Sequence, residues 1–375
     1  MPTVTHVVRQ FFPSRGGLEE MVLNLTKNQV SRGWEVEIVT LDRLFWDATR
    51  RRLPQNESVE SLRVRRIPFY GSIRYPIAPK VLQHLRGDII HVHAIDFFFD
   101  FIALTKSIHR RPLIATTHGG FFHTEFAGRL KLLYFTTVTR FAAACYARVV
   151  ACSRADATRF ARIVPKVVTI ENGVDLNKLR GRAAEVHTRT IVSFGRWAVN
   201  KRVPALFDLL SELRRISPDW RLIVAGTEVD VTLQDLQDAA EKAGVSGSVR
   251  IVKAPSDTAL RDLVGEASYF MALSSFEGFG ITAIEAMSAG LFPVLSDIPT
   301  FRDFVGRAGV GMLVDPRDPA RAARLLMEAD ARERSAPSWK ASLMAAAESY
   351  DWAAVTTAYL REYESILHEA GRPVR

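Results

Sequence analysis

Short apolar runs alternate along the chain with longer segments in which apolar residues recur every three or four positions. The short runs predict buried strands, and the 3.6-residue period predicts helices such as Leu18–Ser31 and Phe97–Ile108. The predicted strands of the first half are Thr5–Phe11, Val36–Leu41, Ile89–Ala94, Leu113–Thr117 and Arg148–Cys152. Those of the second half are Thr190–Phe194, Leu222–Ala225, Val249–Val252, Tyr269–Leu273 and Pro293–Ser296.

Nearly continuous apolar strands separated by helices are typical of parallel sheets covered on both faces. The pattern therefore predicts an α/β protein with two doubly wound domains. The polar, basic segment Asn172–Thr188 is interpreted as a linker, which gives domains at 1–172 and 187–352. Two such domains are expected to face each other across a cleft, with ligands at the carboxyl ends of the strands.

Composition narrows the class of protein. Of 375 residues, 47% are hydrophobic and 24% are charged, which excludes a disordered or collagen-like chain. Two cysteines, Cys145 and Cys152, cannot form a disulfide framework. The first residues lack the basic start and the apolar stretch of a signal peptide, and no run reaches the ~18 apolar residues of a spanning helix. We therefore expect neither feature.

The charge is unevenly distributed. Residues 1–185 contain 28 Lys and Arg against 16 Asp and Glu, whereas the remainder has 22 against 25. The basic half suggests an anionic partner, and nucleic acid and an anionic membrane surface are the two candidates. Solubility alone is the alternative explanation.

Four loops that follow predicted strands carry candidate chemistry. The first contains Gly16 and Gly17, which allow either a plain turn or a close approach of the backbone to a ligand. The second contains His118, which is either a cleft residue or an ordinary polar surface residue. The third contains Arg196 and Lys201, which are either solvated or able to clamp a diphosphate from two sides.

The fourth loop, Ser274–Gly290, is the most informative. Glycines flank Phe279, and a helix follows whose N-terminal N–H groups are suited to a bound diphosphate. Glu277 and Glu285 are placed to accept hydrogen bonds from hydroxyls at separate parts of one ligand. A glutamate near a helix N-terminus also stabilises the helix dipole, which is the structural alternative.

This last segment resembles the E-x7-E motif of the retaining glycosyltransferases of family 4, because Glu277 and Glu285 have that spacing. The three other loops match the family in order. The stretches THGGFFHT, FGRWAVNK and EGFGITAIEAMSAG resemble more closely the GDP-mannose-dependent α-mannosyltransferases of xanthan and acetan exopolysaccharide biosynthesis. The resemblance covers essentially the whole chain. It implies the GT-B fold, two Rossmann-like domains facing across a cleft, with a last helix at 353–375 that returns to the N-terminal domain.

The resemblance also implies roles. Arg196 and Lys201 would hold the donor diphosphate, Glu277 the sugar hydroxyls and Glu285 the ribose hydroxyls, and His118 would contact the donor sugar near the reacting carbon. No metal and no other cofactor are expected. The remaining donor-binding positions implied are Gly16, Gly17, Lys253, Phe279, Gly280, Ile281 and Thr282.

The implied reaction moves mannose from GDP-mannose, with retention, to a polyprenyl-diphosphate-linked oligosaccharide, cellobiosyl-diphosphopolyprenol. Such an acceptor suggests a cytoplasmic protein, peripheral on the inner face of the cytoplasmic membrane, with the N-terminal domain facing acceptor and membrane. Phe126–Val150 is the expected interfacial amphipathic helix, although its apolar face is also consistent with ordinary core. Asp96, Asp100 and Arg74–Pro79 are expected, from the resemblance alone, to shape the acceptor site.

Two alternatives remain at this stage. A member of the same family that uses UDP-glucose or UDP-N-acetylglucosamine has the same core motifs. A basic nucleic-acid-binding protein would fit the charge, but the chain lacks the motifs of such proteins and both glutamates would have no role. We therefore expect no nucleic-acid partner.

Overall fold

The structure is a computed structural model that describes residues 1–73, 75–118, 134–164, 166–333 and 339–372. The chain divides into two compact units. The first comprises Met1–Gly173 together with Trp352–Arg375, and the second comprises Val174–Asp351. The chain therefore leaves the first unit once and returns to it for its last helix.

The first unit is built on an eight-stranded sheet with the order β10-β9-β8-β7-β1-β2-β4-β3. All neighbours are parallel except the edge pair β3 and β4, and β5 and β6 form a separate antiparallel hairpin. The strands are β1 (Thr3–Val7), β2 (Glu35–Leu41), β3 (Asn56–Val59), β4 (Leu62–Ile67), β5 (Tyr70–Ser72), β6 (Tyr75–Ile77), β7 (Ile89–His93), β8 (Leu113–Thr116), β9 (Arg148–Ala151) and β10 (Val167–Thr169).

Helices and apolar side chains cover both faces of this sheet. Val4 of β1 belongs to one apolar cluster and Val7 to the other, as the alternation of side chains along a strand requires. Burial of each large apolar side chain contributes about 1.5–3 kcal/mol. A 3₁₀ segment covers Pro79–His84, and the α-helices are α1 (Gly17–Val30), α2 (Phe97–Leu104), α3 (Lys106–His109), α4 (Arg140–Ala143) and α5 (Arg154–Phe160).

The second unit contains a six-stranded parallel sheet with the order β13-β12-β11-β14-β15-β16, the 3-2-1-4-5-6 order of a Rossmann sheet. The order reverses between β11 and β14, and ligands bind at such a point in open α/β sheets. The strands are β11 (Thr190–Trp197), β12 (Arg221–Glu228), β13 (Val249–Lys253), β14 (Tyr269–Ala272), β15 (Phe292–Ser296) and β16 (Met312–Val314). The helices are α6 (Pro204–Ile216), α7 (Leu233–Lys242), α8 (Asp257–Gly265), α9 (Ile281–Ala289), α10 (Pro299–Ala308), α11 (Pro319–Glu333) and α12 (Trp339–Ala347).

The last helix, α13 (Trp352–Glu369), packs against α1 of the first unit. Tyr359 and Tyr363 are fully buried there. Arg148 of β9 fixes the far end of α13, because its guanidinium pairs with Glu362 at 3.0 Å and with Glu369. The hydrophobic contacts and this charge cluster together hold α13 on the first unit.

The α/β class and the two doubly wound halves are confirmed, and each predicted strand overlaps an observed one. The predicted amphipathic helix Phe126–Val150 is wrong at its C-terminal end. Residues 126–133 lie outside the described residues; Phe135–Thr139 then form a π-helical turn, followed by α4. From Arg148 the chain is strand, because Val149 and Val150 are fully buried between β8 and β10.

The segment interpreted as a linker also packs into a core. Leu176 and Leu179 are fully buried in the second unit, and Leu176–Lys178 form a 3₁₀ turn. The segment also lies beside the second connection between the units, since the N–H of Val174 donates to the carbonyl of Tyr350 at 2.8 Å. The polar composition of residues 172–188 therefore reflects exposed positions around two buried leucines.

Candidate active site

A small recess, partly open to solvent, lies in the second unit, where β11 and β14 end. This is the point at which the strand order reverses. Its polar lining comes from Arg196 at the end of β11, Lys201 in the following turn, Ser274 after β14, and Thr282 in the first turn of α9. The fold therefore brings two of the four loops identified in the sequence into one site.

Lys201 and Glu277 are directly paired in this site. The ammonium nitrogen of Lys201 lies 2.5 Å from Oε1 of Glu277, and the hydroxyl of Ser274 donates to the same oxygen at 2.7 Å. The Glu277 side chain is only 9% exposed, so its charge needs these partners. The hydroxyl of Thr300 donates to the Glu277 carbonyl at 2.7 Å, which fixes the main chain of the loop.

Arg196 differs from Lys201 because its side chain makes no ion pair or hydrogen bond with another described residue, although its main chain belongs to β11. Its side chain is exposed at the recess. A guanidinium presents a planar set of donors that matches two phosphate oxygens at once. Arg196 is thus the cation of the site that is free to bind an anionic ligand, whereas Lys201 is shared with a carboxylate.

The N-terminus of α9 faces the same recess. Gly280 precedes it with φ of 82°, and a Cβ there would lie 3.2 Å from the ring of Phe301. The first N–H to bond within the helix is that of Ala283, which donates to the Gly280 carbonyl at 2.9 Å. The N–H groups of Ile281 and Thr282 therefore precede the intrahelical ladder and are suited to an anion.

Two glycines allow β11 and β12 to approach each other closely beside the recess. Gly195 and Gly226 are register partners on β11 and β12. A Cβ on Gly226 would lie 1.8 Å from the Gly195 carbonyl oxygen and 2.7 Å from Nε1 of Trp197. No side chain fits between these strands at this position.

Glu285, the second carboxylate of the motif, lies on α9 with a cation beside it. The ammonium of Lys178 is 3.9 Å from Glu285 and 3.3 Å from Asp257. Burial raises the pKa of the Glu285 carboxyl, and Lys178 acts against this rise. Sequence reasoning missed Lys178, because it lies in the segment interpreted as a linker and nothing local indicates its neighbours.

Three further predicted positions have structural partners. The ammonium of Lys253 binds Glu228 at 2.6 Å and is half exposed. The ring of Phe279 packs at 5.8 Å from that of Tyr350, on the apolar core of the second unit. Ile281 is 46% exposed at the start of α9.

The remaining predicted residues belong to the first unit. Gly17 begins α1, and Gly16 precedes it in extended conformation. A Cβ on Gly16 would lie 2.7 Å from the Glu19 carboxylate, whereas one on Gly17 would meet nothing within 4 Å. The hydroxyl of Ser14 donates to Glu19 at 3.2 Å. A side chain at Gly16 would displace the flexible Glu19 carboxylate, whereas one at Gly17 would displace nothing.

His118 follows β8 in left-handed conformation, with φ of 48°. Both ring nitrogens have partners inside the first unit: Nε2 lies 3.0 Å from Nδ1 of His93, and Nδ1 lies 3.8 Å from the sulfur of Cys152. Burial lowers the pKa of His118 to about 4, so the ring is neutral at pH 7. Gly119 and Gly120 lie outside the described residues.

Comparison with known proteins identifies the family. Residues 15–178 match the description Glycosyltransferase Family 4, and residues 178–340 match Glycosyl transferases group 1. A GDP-mannose:cellobiosyl-diphosphopolyprenol alpha-mannosyltransferase of Komagataeibacter xylinus is 44% identical over 98% of this chain and 94% of its own. The protein of the same name in Xanthomonas campestris is 45% identical over 97% of both chains. The chain belongs to glycosyltransferase family 4.

The family 4 assignment agrees with the fold. The structure of Anabaena Alr3699/HepE in complex with UDP matches with a TM-score of 0.72 and 18% identity, over 97% of this chain and 100% of that one. This likeness establishes the GT-B fold of the family 4 enzyme. In the part of this chain that the structure describes, no helix is both long enough and apolar enough to span a bilayer.

Proposed function

We propose that this glycosyltransferase moves mannose from GDP-mannose to cellobiosyl-diphosphopolyprenol, with an α-linkage in the product. The names of the two mannosyltransferases above support this donor and this acceptor. The observation that carries the proposal is the Lys201–Glu277 pair beside the unpaired Arg196. It supplies cations for a diphosphate and a carboxylate for a sugar hydroxyl within a single recess.

Each residue then has a role in donor binding. Arg196 binds the diphosphate, together with the N–H groups at the start of α9. Lys201 neutralises charge on the leaving nucleotide, which grows toward the transition state, so this contact counts most there. Glu277 accepts from hydroxyls of the sugar, and Glu285 accepts from those of the ribose.

We further propose that the enzyme needs no metal and retains configuration at the sugar carbon. Arg196, Lys201 and the amides of α9 supply the positive charge that a divalent cation would otherwise give. The acceptor hydroxyl attacks the face from which the diphosphate leaves, and a leaving phosphate oxygen takes its proton. In this mechanism Glu277 positions the donor and forms no covalent intermediate.

The acceptor places the enzyme at a membrane surface in this proposal. The excess of Lys and Arg in residues 1–185 would favour an anionic surface, at about 1 kcal/mol for each basic residue close to it. The first unit also exposes apolar side chains beside basic ones: Phe141 next to Arg140, and Leu104 and Ile108 around Lys106. Leu104 ends α2, which packs against α4, and Lys106 and Ile108 lie on α3, which directly follows α2.

The test is a transfer assay with labelled GDP-mannose and a short-chain polyprenyl-diphosphate cellobiose. We expect mannose in the lipid fraction, an α-anomeric product by NMR, and no loss of rate with EDTA. UDP-glucose and UDP-N-acetylglucosamine are run in parallel, and transfer from either of them instead would contradict the proposed donor. Loss of activity in EDTA that added metal restores would contradict metal independence.

Two variants connect the activity to the site and the surface. Glu277→Ala should abolish transfer while Glu266→Ala, at an exposed ion pair of the same unit, should not. For the membrane, Phe141→Ser combined with Ile108→Ser should reduce flotation with phosphatidylglycerol vesicles. Val186→Ser combined with Val229→Ser removes two exposed apolar residues from the second unit and should have no such effect. Equal flotation of all variants would contradict the proposed surface.

A further inference from the structure

Three histidines lie side by side in the middle of the first sheet, where apolar residues are the rule. His6 on β1 and His91 on β7 are register partners, and His93 is two residues further along β7. All three are fully buried. Buried polar side chains are stable only when their hydrogen bonds are made. The partners of these rings therefore show what the cluster is built to hold.

The rings form a continuous chain of hydrogen bonds that ends at His118. Nε2 of His6 lies 2.8 Å from Oε1 of Gln29, and Nδ1 of His6 lies 2.8 Å from Nε2 of His93. Nδ1 of His93 then lies 3.0 Å from Nε2 of His118. Helix α1 is thereby connected through two strands to the loop after β8.

A neutral imidazole has one donor and one acceptor nitrogen, so the direction of such a chain propagates from ring to ring. Burial lowers the pKa of His6 to about 4 and that of His93 well below 6.5, so both rings are neutral. The Gln29 carbonyl accepts from Nε2 of His6, and His93 then donates from Nε2 to His6. His118 must in turn donate from Nε2, which leaves its Nδ1 without a proton.

The other end of the chain requires the same arrangement. Burial raises the pKa of the Cys152 thiol to about 12, so the sulfur carries a proton. The sulfur lies 3.8 Å from Nδ1 of His118, and a protonated thiol is a better donor to an imidazole nitrogen than an acceptor from it. The amide at one end and the thiol at the other both select the Nε2–H form of His118.

A second branch holds the Gln29 amide in place. Its Nε2 donates to the Tyr363 hydroxyl at 3.1 Å, and that hydroxyl lies 2.6 Å from Nδ1 of His91. Nε2 of His91 lies 2.7 Å from the Thr116 hydroxyl, which lies 3.1 Å from that of Tyr359. The last helix thus contributes to the direction of the chain through its two tyrosines.

We propose that Gln29, His6 and His93 are positioning residues that fix His118 as a neutral Nε2–H ring directed into the first unit. His118 is thereby an anchor at the carboxyl end of β8, and it exchanges no proton with substrate. The left-handed conformation of His118 costs energy for a residue with a Cβ, and bonds at both ring nitrogens hold it there. This inference rests on the proposed function, because its kinetic test measures transfer from GDP-mannose.

A metal is the rival explanation for the cluster, since single nitrogens of His6, His91 and His93 lie within 4.8 Å of one another. Each ring nitrogen of the three, however, already has a hydrogen-bond partner. A metal would have to break several of these bonds and would not use His118. The hydrogen-bonded chain accounts for all four rings.

The first experiment reads the tautomer directly in the full-length protein. Long-range ¹H–¹⁵N NMR of histidine-labelled enzyme should show His118 with its proton on Nε2 and no titration between pH 5.5 and 8. A proton on Nδ1, or titration near 6.5, would overturn the proposal. Stoichiometric zinc or another metal in the purified protein would also overturn it.

The second experiment interrupts the series of hydrogen bonds at Gln29, its end farthest from His118. Gln29→Leu removes the amide that sets the direction, and we expect a mixture of His118 tautomers and a fall in kcat of about tenfold, with KM for GDP-mannose little changed. Thr26→Val is the control, because it removes a different fully buried polar group, a hydroxyl, from α1 without affecting the histidine hydrogen bonds. A single Nε2–H tautomer and normal kcat in Gln29→Leu would contradict the positioning role.

The two proposals fail separately. Absence of transfer from GDP-mannose by the unmodified enzyme, with the Nε2–H tautomer observed, would refute the proposed function and leave the anchor in place. Normal transfer with a titrating His118 would refute the anchor alone.

Discussion

The Lys201 ammonium and the Glu277 carboxylate are 76 positions apart in sequence and 2.5 Å apart in the structure. Two loops meet to make this contact, and main-chain bonds connect them: the N–H of Ser275 donates to the Asn200 carbonyl at 2.8 Å. The cation of one motif and the carboxylate of the other are therefore held together by direct bonds between their loops.

This coupling predicts non-additive kinetics. Lys201→Met and Glu277→Gln should each lower mannose transfer by about a hundredfold, and the double variant should be little worse than the poorer single one. The measurement is kcat/KM for GDP-mannose in a double-mutant cycle. Arg250→Met, which breaks the exposed pair with Glu266, is the matched control and should keep normal activity. Fully multiplicative losses would show that the two residues act independently.

Arg196 should contribute to binding and not to folding. Because the guanidinium is exposed and has no ion pair among the described residues, Arg196→Ala should leave the unfolding midpoint unchanged. The same variant should weaken GDP-mannose binding by about tenfold to a hundredfold, through loss of a charge-assisted contact. Calorimetric titration with GDP-mannose and with GDP measures this effect. An equal loss for guanosine would indicate that Arg196 contacts the nucleoside instead.

Gly226 should be intolerant of the smallest side chain. The Cβ of Gly226→Ala would overlap the Gly195 carbonyl at 1.8 Å, so β11 and β12 must separate where they form the recess. We expect a loss of about 1–3 kcal/mol in the free energy of unfolding, measured with urea. Gly247→Ala in the same unit meets nothing within 4 Å and should cost less than about 1 kcal/mol. Similar values for the two variants would show that the strands can adjust.

The histidine chain should make the fold sensitive to acid. Burial lowers the pKa of His6 and His118 to about 4 and that of His91 and His93 well below 6.5. Below pH 6.5 the unfolded chain therefore takes up protons that the folded chain does not. The free energy of unfolding should fall between pH 6.5 and 4, by up to about 1.4 kcal/mol per pH unit for each histidine.

Two aspartates oppose this trend. Burial raises the pKa of Asp96 and Asp100 to about 6, so between pH 6 and 4 the folded chain binds protons that the unfolded chain does not. The four histidines outnumber them, and stability should still decline. Asp100→Asn removes one opposing group, so its urea midpoint should fall more steeply toward pH 4.5 than that of the unmodified protein. A midpoint that rises on acidification would contradict the neutral histidine chain.

Much of the fold is predictable from local pattern. The apolar runs of β12 and β14 identify the strands, because a strand buried on both faces has few polar positions. The ends are not predictable: Leu222–Ala225 extends to Arg221–Glu228, since pairing with β11 continues beyond the apolar residues. Strand β4 is not predicted from the sequence, because Arg63, Arg65 and Arg66 obscure the alternation of apolar and polar positions.

The contacts of the site are less predictable than its motifs. Spacing identified Glu277, but its pairing with Lys201 depends on which strands are neighbours at the reversal point. The contact of His118 with the donor sugar stays a prediction, and among the described residues its ring contacts His93 and Cys152. Nothing in the sequence near His118 indicates which way its ring faces, because its partners lie on β7 and just after β9.

The second unit begins after Gly173 and ends before Trp352. Its two ends lie side by side, because the N–H of Val174 donates to the carbonyl of Tyr350. In topological terms it is an insertion whose entry and exit are neighbours. Such a module can be exchanged between related proteins at two adjacent junctions without re-threading the first sheet. The sequence of either unit can therefore change, or be replaced, with little effect on how the other unit is connected along the chain.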